Sequence, residues 1–424
     1  MGKIIAIIEP AEGHFSPFIP IIKRLVQRGH EVLCITGRIF QTRIEKTGAA
    51  FQPLPPKWDF SEKEAFEFFP ELKKLRGLSS IKYYLKHVMY DPVPDHLNML
   101  MGIQEKFRAD IIISDTFMVA GVWITEVTGI PSVRLSVLPL SFPGKNIPPF
   151  GLGLLPGKKF FSKLKISILK GLFEKVLFND VQKHANKIRK KVGLPPFDKI
   201  FFIKGFEIAN LVLHTSTPSF EYFYKEFPQN FRFIGPIVVP PDVEYKEPEW
   251  WPEIKKDIPV VLITQGTIAK NLDNLILPAI EALKNEKMIV LVVPVKEGEI
   301  KNLPEHIKAE PFIPFGNILP HVDLVITNGG FGGTQNALAH GIPVIIAGAT
   351  EDKMEVAARL EYSGAGINLN KQKPTPVEIL KAVKKVMSDP SYKQKAKELQ
   401  ANFSQYDAPL LAVDLMEKLI EKTR

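Results

Sequence analysis

Cysteine is nearly missing: a single residue, Cys34, stands in a chain of 424. An intrachain disulfide is therefore excluded, and so is a metal site built on thiolates. Cys34 lies inside an apolar run, where a thiol behaves as a small buried hydrophobe. Long apolar runs are missing too. None reaches the roughly 18 residues that a bilayer-spanning helix needs. The first run, Ile4 to Ile8, is followed by Glu9 and Pro10 and not by a small-residue cleavage site. No membrane span or secretory leader is expected, and the chain is expected in the cytoplasm. Acidic residues are the minority, 46 against 55 lysines and arginines, for a net charge of +9. That balance favours anionic partners such as nucleotide phosphates, nucleic acid or an acidic membrane surface, although solubility alone accounts for it equally well. Basic residues are dispersed apart from one segment and no recognised motif is present, so no nucleic-acid partner is expected. Two phosphate motifs also fail. GLLPGKK at 153–159 has the wrong spacing for a Walker loop and no hydroxyl residue after the lysine. GGFGG at 329–333 does not satisfy G-x-G-x-x-G.

What remains is an ordinary globular composition, long enough for two or three domains. Lys3 to Ile8 is β-branched and apolar without helical period, which predicts a strand buried on both faces of a parallel sheet. A loop over Glu9 to Gly13, a helix over Phe18 to Gln27 and a strand over Glu31 to Thr36 complete a βαβ unit. Further strands are predicted at Ile111–Ser114, Pro131–Ser136, Leu211–His214 and Phe231–Ile234. Residues 236–259 are rich in Pro, Glu, Asp and Trp, lack periodicity and read as a linker. The pattern then restarts, with strands at Val260–Thr264, Met288–Val293, Leu324–Thr327 and Val344–Ala347 and a helix over Leu275–Leu283. The fold class is thus α/β: two Rossmann-like doubly wound domains, whose strand ends point loops at one central cleft. The segment Lys158–Lys191 stands apart. It interleaves lysines with Phe160, Phe161, Leu164, Ile168, Leu172, Phe173, Val176 and Leu177 at near-helical spacing. It reads as a basic amphipathic helix, either a lid with a solvated face or a point of peripheral membrane contact.

Residue types that carry chemistry gather at the predicted strand ends. Thr327 to Leu338, TNGGFGGTQNAL, falls between a strand and a helix. Its glycines permit close backbone approach, and the helix start, near Thr334, attracts phosphate. Glu351 and Asp352 follow the Val344 strand, where carboxylates suit sugar hydroxyls and, on local grounds, cap the next helix. His14 follows Gly13 in the loop after the first strand, and Asp115 follows the Ile111 strand. A His–Asp pair can take a proton from a hydroxyl, with Asp holding the ring. Spacing alone does not bring the two together.

In their order and setting, these pieces resemble the UDP-glycosyltransferase superfamily of GT-B fold, closest to bacterial macrolide-type small-molecule transferases. The resemblance is carried by GHFSPFIPIIKRLVQRGHEV at 13–32, PFIPFGNILPHVDLVITNGGFGGTQNALAHGIPVI at 311–345 and Thr350-Glu351-Asp352. It implies an acceptor-binding domain at 1–235, a nucleotide-sugar domain at 260–400 and a helix at 401–424 returning to the first domain. It also implies His14 as general base with Asp115 as partner. Donor contacts fall on Gly266 and Thr267, Phe312 and Ile313 for the base, and Gly330, Gly332, Gly333 and Thr334 for the diphosphate. Asn328 stands where the family has a phosphate-binding histidine, Asn336 where it has a ribose-binding glutamate, and Glu351-Asp352 where it has its sugar-gripping pair. The implied reaction is inverting transfer of a hexose, from UDP-glucose by default or a TDP-sugar, to a small hydrophobic acceptor. No cofactor and no metal are implied. Phe60, Phe66, Phe68, Phe69, Tyr83, Tyr84, Met89 and Phe142 are candidate acceptor contacts. The alternative is a non-catalytic nucleotide-sugar-binding or accessory protein of the same fold.

Overall fold

The computed structural model describes the whole chain except residues 64, 76, 145, 158–159, 256, 267–270, 295–298 and 351, and the side chains of 66, 160, 174, 202 and 255. The described residues form two wholly parallel sheets. The first holds β1 (Lys3–Ile7), β2 (Glu31–Thr36), β3 (Ala50–Pro53), β4 (Ile111–Asp115), β5 (Ser132–Ser136), β6 (Leu211–His214) and β7 (Phe231–Phe233). Their order is β3-β2-β1-β4-β5-β6-β7. The second holds β8 (Val260–Thr264), β9 (Ile289–Val293), β10 (Ile307–Ala309), β11 (Leu324–Thr327), β12 (Val344–Ile346) and β13 (Gly366–Asn368), ordered β10-β9-β8-β11-β12-β13. The central strands β4 and β8 are buried at every position, and their apolar runs Ile111–Ile113 and Val260–Ile263 suit a sheet with helices on both faces.

In each sheet the strand order reverses once, beside β1 in the first and beside β8 in the second. At such a switch point the loops after neighbouring strands diverge and leave a crevice beyond their carboxyl ends. β1 pairs with β4 in a register that sets Ile7 against Ser114, so the residues after Ile7 meet the end of β4. β8 pairs with β11 with Thr264 against Thr327, which brings the loops at Gln265 and Asn328 together in the same way.

The segment between the sheets is short of regular structure but firmly packed. Trp251 and Ile254, on a 3-10 turn, are buried in the core of the second sheet. At the C-terminal end, helix Pro390–Phe403 buries Ala396, Leu399 and Phe403 in that same core. Helix Ala408–Thr423 instead packs Ala412, Val413, Met416 and Ile420 into the core of the first sheet. Arg28 anchors it there through Asp414 at 2.7 Å and Glu417 at 2.8 Å. Among the described residues, no helix is long and apolar enough to cross a membrane.

Candidate active site

β1 leads into a short helix, Glu12–Phe15, that carries His14 to the switch point. Phe15 anchors this turn in the core, stacked on Phe40 at 4.0 Å. The His14 ring therefore turns toward β4. Its Nδ1 lies 2.8 Å from Oδ2 of Asp115, the last residue of that strand and fully buried. Asp115 Oδ1 accepts the backbone N–H of Phe117 at 2.9 Å, which fixes the carboxylate. An ionised carboxylate only accepts, so Nδ1 is the donor and Nε2 is left as the basic atom. The Phe117 ring leans on the imidazole, with centroids 5.0 Å apart.

A third titratable group joins them. Glu9, two residues past β1, is buried, and its Oε2 lies 3.6 Å from His14 Nδ1. Oε1 accepts the Tyr84 hydroxyl, and Tyr84 packs on Phe117. Burial raises the Glu9 carboxyl to about 7; the neighbouring His14 charge pulls it down and Asp115 pushes it up. Burial pulls the His14 imidazole down, but the carboxylates of Asp115 and Glu9 outweigh this and hold it at about 10. Asp352, from the second sheet, adds to the upward push. Its charge thus acts on the imidazole from the second half of the molecule.

In that half, helix Phe331–Ala339 starts at Gly330 directly after β11. The Thr334 N–H is already bonded to the Gly330 carbonyl at 3.0 Å. The first-turn groups open to a ligand are therefore the N–H of Phe331, Gly332 and Gly333. A side chain at Gly330 or Gly332 would stand in open space, so the backbone is approachable there. The Thr334 side chain points inward, fully buried, and its hydroxyl meets no partner. Gly266 turns with φ +70° against the Asn328 side chain. Asn328 donates one amide hydrogen to the Gln265 carbonyl, tying the two switch-point loops together.

Other expected donor contacts are placed differently. Asn336, expected at the ribose, donates both amide hydrogens, to the carbonyls of Ile237 and Gly332, and accepts from Val239 N–H. It staples the linker to the signature helix. Ile313 is buried in the core beside Trp251, so only its backbone can face a nucleotide. Phe312, by contrast, is 65% exposed and offers a free ring face. Asp352 begins helix Lys353–Ser363 without a side-chain capping bond. Thr267 and Glu351 lie outside the described residues. Of the aromatic acceptor candidates, Tyr84 reaches the His14 group. Phe60, Phe68 and Phe69 pack on one another, and Phe142 packs on Phe206.

Sequence reasoning missed a buried ionic cluster where the two sheets meet. Arg359, on helix Lys353–Ser363, pairs with Glu221 and Glu355 and donates to the Leu140 carbonyl at 2.8 Å. Glu221 also contacts His214 at 3.1 Å, and Glu355 Oε1 accepts the backbone N–H groups of Gly151, Leu152 and Gly153. Gln335, within the signature helix, donates to the Thr215 carbonyl at 3.0 Å. Glu355 and Arg359 are an ordinary i,i+4 helix pair in the sequence; what the sequence does not mark is their distant partners, Glu221, Leu140 and residues 151–153.

Comparison with known proteins gives the family and the fold. Residues 11–140 match the glycosyltransferase family 28 N-terminal domain, and residues 274–419 match the erythromycin biosynthesis protein CIII-like C-terminal domain. The 4'-demethylrebeccamycin synthase of Lentzea aerocolonigenes is 37% identical over 420 residues, covering 99% of this chain and 100% of that protein. The chain belongs to the UDP-glycosyltransferase superfamily. UDP-glycosyltransferase 2 of Phaeomoniella chlamydospora is 31% identical over 97% of the transferase and 94% of its own length. The structure is similar to that of the calicheamicin glycosyltransferase, with a TM-score of 0.74 at 21% identity over 99% and 98% of the two chains. It is also similar to SsfS6 of Streptomyces sp., complexed with thymidine diphosphate, with a TM-score of 0.68 at 18% identity over 99% and 100%. These structures share the GT-B fold. The transferase is thus a glycosyltransferase of natural-product type.

Proposed function

We propose that the transferase moves a hexose from a nucleoside diphosphate to a hydroxyl of a small hydrophobic acceptor, in the cytoplasm, with His14 as general base. The observation that carries this reading is the 2.8 Å His14–Asp115 contact at one switch point, with Asp352 of the second half close enough to act on it. The acceptor oxygen attacks the anomeric carbon as its proton passes to His14 Nε2. The bond from that carbon to the diphosphate oxygen breaks, the electron pair leaves with the nucleotide, and the anomeric configuration inverts. Asp115 holds the imidazolium that forms. Negative charge on the leaving group is met by the N–H groups of Phe331, Gly332 and Gly333 and the positive end of their helix. The exposed Phe312 ring is the stacking face for the base. UDP-glucose is the default donor. A TDP-sugar is supported by the thymidine diphosphate held in the similar SsfS6 structure.

The donor is a substrate, no cofactor is invoked, and transfer is expected to persist in EDTA. Removing a general base lowers turnover about 10²–10⁴-fold. His14→Ala should show that loss in kcat while calorimetry still records UDP or TDP binding. Unchanged kcat would overturn the mechanism, and nucleotide binding without transfer in the unaltered protein would favour the accessory-protein reading. We extend the proposal to helix Phe160–Leu172 and the π-turn Phe173–Leu177 that follows. Leu164, Ile168, Leu172 and Val176 are exposed along one line, flanked by exposed Lys163, Lys165 and Lys175, while Ile166 and Phe173 are buried. An apolar stripe edged with lysines complements an anionic bilayer surface, where hydrophobic acceptors concentrate.

A further inference from the structure

A second cluster of ligating side chains lies away from the catalytic pair. His87 belongs to a π-helical stretch, Tyr84–Tyr90, and Asp91 follows it directly. His184 comes from a different element, helix Asn179–Lys191. Asp91 receives both rings, His87 Nδ1 on Oδ2 at 2.7 Å and His184 Nε2 on Oδ1 at 2.7 Å. The three ligand atoms all lie within 4.8 Å of one another. All three residues are partly exposed, with side-chain accessibilities of 39%, 31% and 21% for His87, Asp91 and His184.

We propose that His87, Asp91 and His184 form a binding site for one divalent transition ion of zinc type. Two imidazole nitrogens and a carboxylate oxygen are a donor set that suits zinc, and water would complete the coordination. Zinc–nitrogen and zinc–oxygen bonds near 2.0–2.2 Å put tetrahedral neighbours about 3.3 Å apart. The two contacts of 2.7 Å therefore have to open by about 0.6 Å, a small motion for half-exposed side chains. The ion would replace the protons that these contacts now share. Lys82 and Lys86, on the His87 side of the cluster, are engaged by Asp180, one turn before His184.

The site cross-links two segments of the acceptor side. The π-helical stretch carries His87 at its middle and Asp91 just past its end, and it begins at Tyr84, which bonds Glu9 beside His14. A bound ion would fasten this stretch to helix Asn179–Lys191 and so stiffen one wall of the cleft. Its role is positional and leaves the proposed chemistry metal-free.

The test is calorimetric titration of the EDTA-dialysed full chain with zinc chloride, with thermal midpoints measured alongside. One equivalent is expected to bind and raise the midpoint, because an ion that binds only the folded state stabilises it. His87→Ala and His184→Ala are each expected to weaken zinc at least ~10-fold, the scale on which ligand surroundings govern affinity. His14→Ala is expected to bind as tightly as the unaltered protein. Should His184→Ala fold poorly by circular dichroism, His184→Gln serves in its place, with the same expectation. Cobalt(II) should give the visible absorption of a nitrogen–oxygen site, and lose it in the His184 variant. Equal affinity in His184→Ala and the unaltered protein, loss of zinc in His14→Ala instead, or binding only at millimolar zinc would each overturn the proposal.

Discussion

His14 is set between two carboxylates that differ in kind. Asp115 is hydrogen-bonded and fixed, whereas Glu9 is buried at a longer 3.6 Å with an oxygen that finds no partner. Both favour imidazolium, so with the imidazole near 10 the ligand-free cleft holds its proton at neutral pH. Turnover should therefore rise with pH through neutrality, as the deprotonated fraction grows. Glu9→Gln keeps the shape and the Tyr84 contact but removes one negative neighbour. It should move the rising limb of the kcat profile to lower pH; an unmoved limb would show that Glu9 does not govern the base. The stability consequence has a definite sign. A histidine raised from about 6.5 contributes fully below that pH, and its contribution fades as pH climbs through about 10. His14→Gln should therefore flatten the decline of thermal midpoint across that window. His14 and Asp115 stand out in the sequence because each follows a strongly apolar strand and matches the family's pattern; that they meet at 2.8 Å is visible only in the structure. Glu9 does not stand out, since a glutamate after a strand reads as the start of a loop until Tyr84 and His14 are seen to enclose it.

The elements divide by where their hydrogen bonds and side chains go. The strands Glu31–Thr36, Leu211–His214, Val260–Thr264 and Leu324–Thr327 lie where unbroken apolar runs predict them. Three strands escaped prediction, and all three are edges: β3 in the first sheet, β10 and β13 in the second. An edge strand pairs on one side only and covers little core, so it needs no apolar run. β3 even contains Pro53, which an edge position tolerates. The basic segment shows the opposite limit. Its apolar spacing predicts one helix over Lys158–Lys191, whereas the described residues form two, Phe160–Leu172 and Asn179–Lys191, with a π-helical turn between them; nor can the period say which apolar residues face inward. Ile166 and Phe173 do, while Ile168 is 64% exposed. The proposed membrane contact would draw on apolar burial and about 1 kcal/mol per lysine near an anionic surface. Ile168→Glu with Leu172→Glu should abolish co-sedimentation with phosphatidylserine vesicles and leave nucleotide binding intact. Retained sedimentation would remove this face from consideration.

At the scale of the whole molecule, the two sheets are clasped by charge as well as by the returning C-terminal helix. Arg359 stands on the helix that begins at Asp352, and its partners Glu221 and Leu140 belong to the first sheet's half of the molecule. Glu355 reaches the same way, to the N–H groups of 151–153. The helix that starts at Asp352, whose charge reaches the His14 imidazole, is thus tied to the loop at 151–153 in the first half. A displacement at one would be felt at the other, because a buried ionic cluster has few alternative arrangements. The Arg359 guanidinium holds the Glu221 carboxyl below its ordinary range in spite of burial. Removing the cation leaves two buried carboxylates uncompensated, a loss of about 3–5 kcal/mol for a broken buried pair. Arg359→Met should lower the thermal midpoint strongly and split calorimetric unfolding into two transitions, one for each half. Adding Glu221→Gln and Glu355→Gln removes the orphaned charges and should recover much of the midpoint, yet the two transitions should stay separate. That difference distinguishes a clasp from a merely favourable contact: stability returns when charge is balanced, whereas the coupling of the halves requires the bonds themselves.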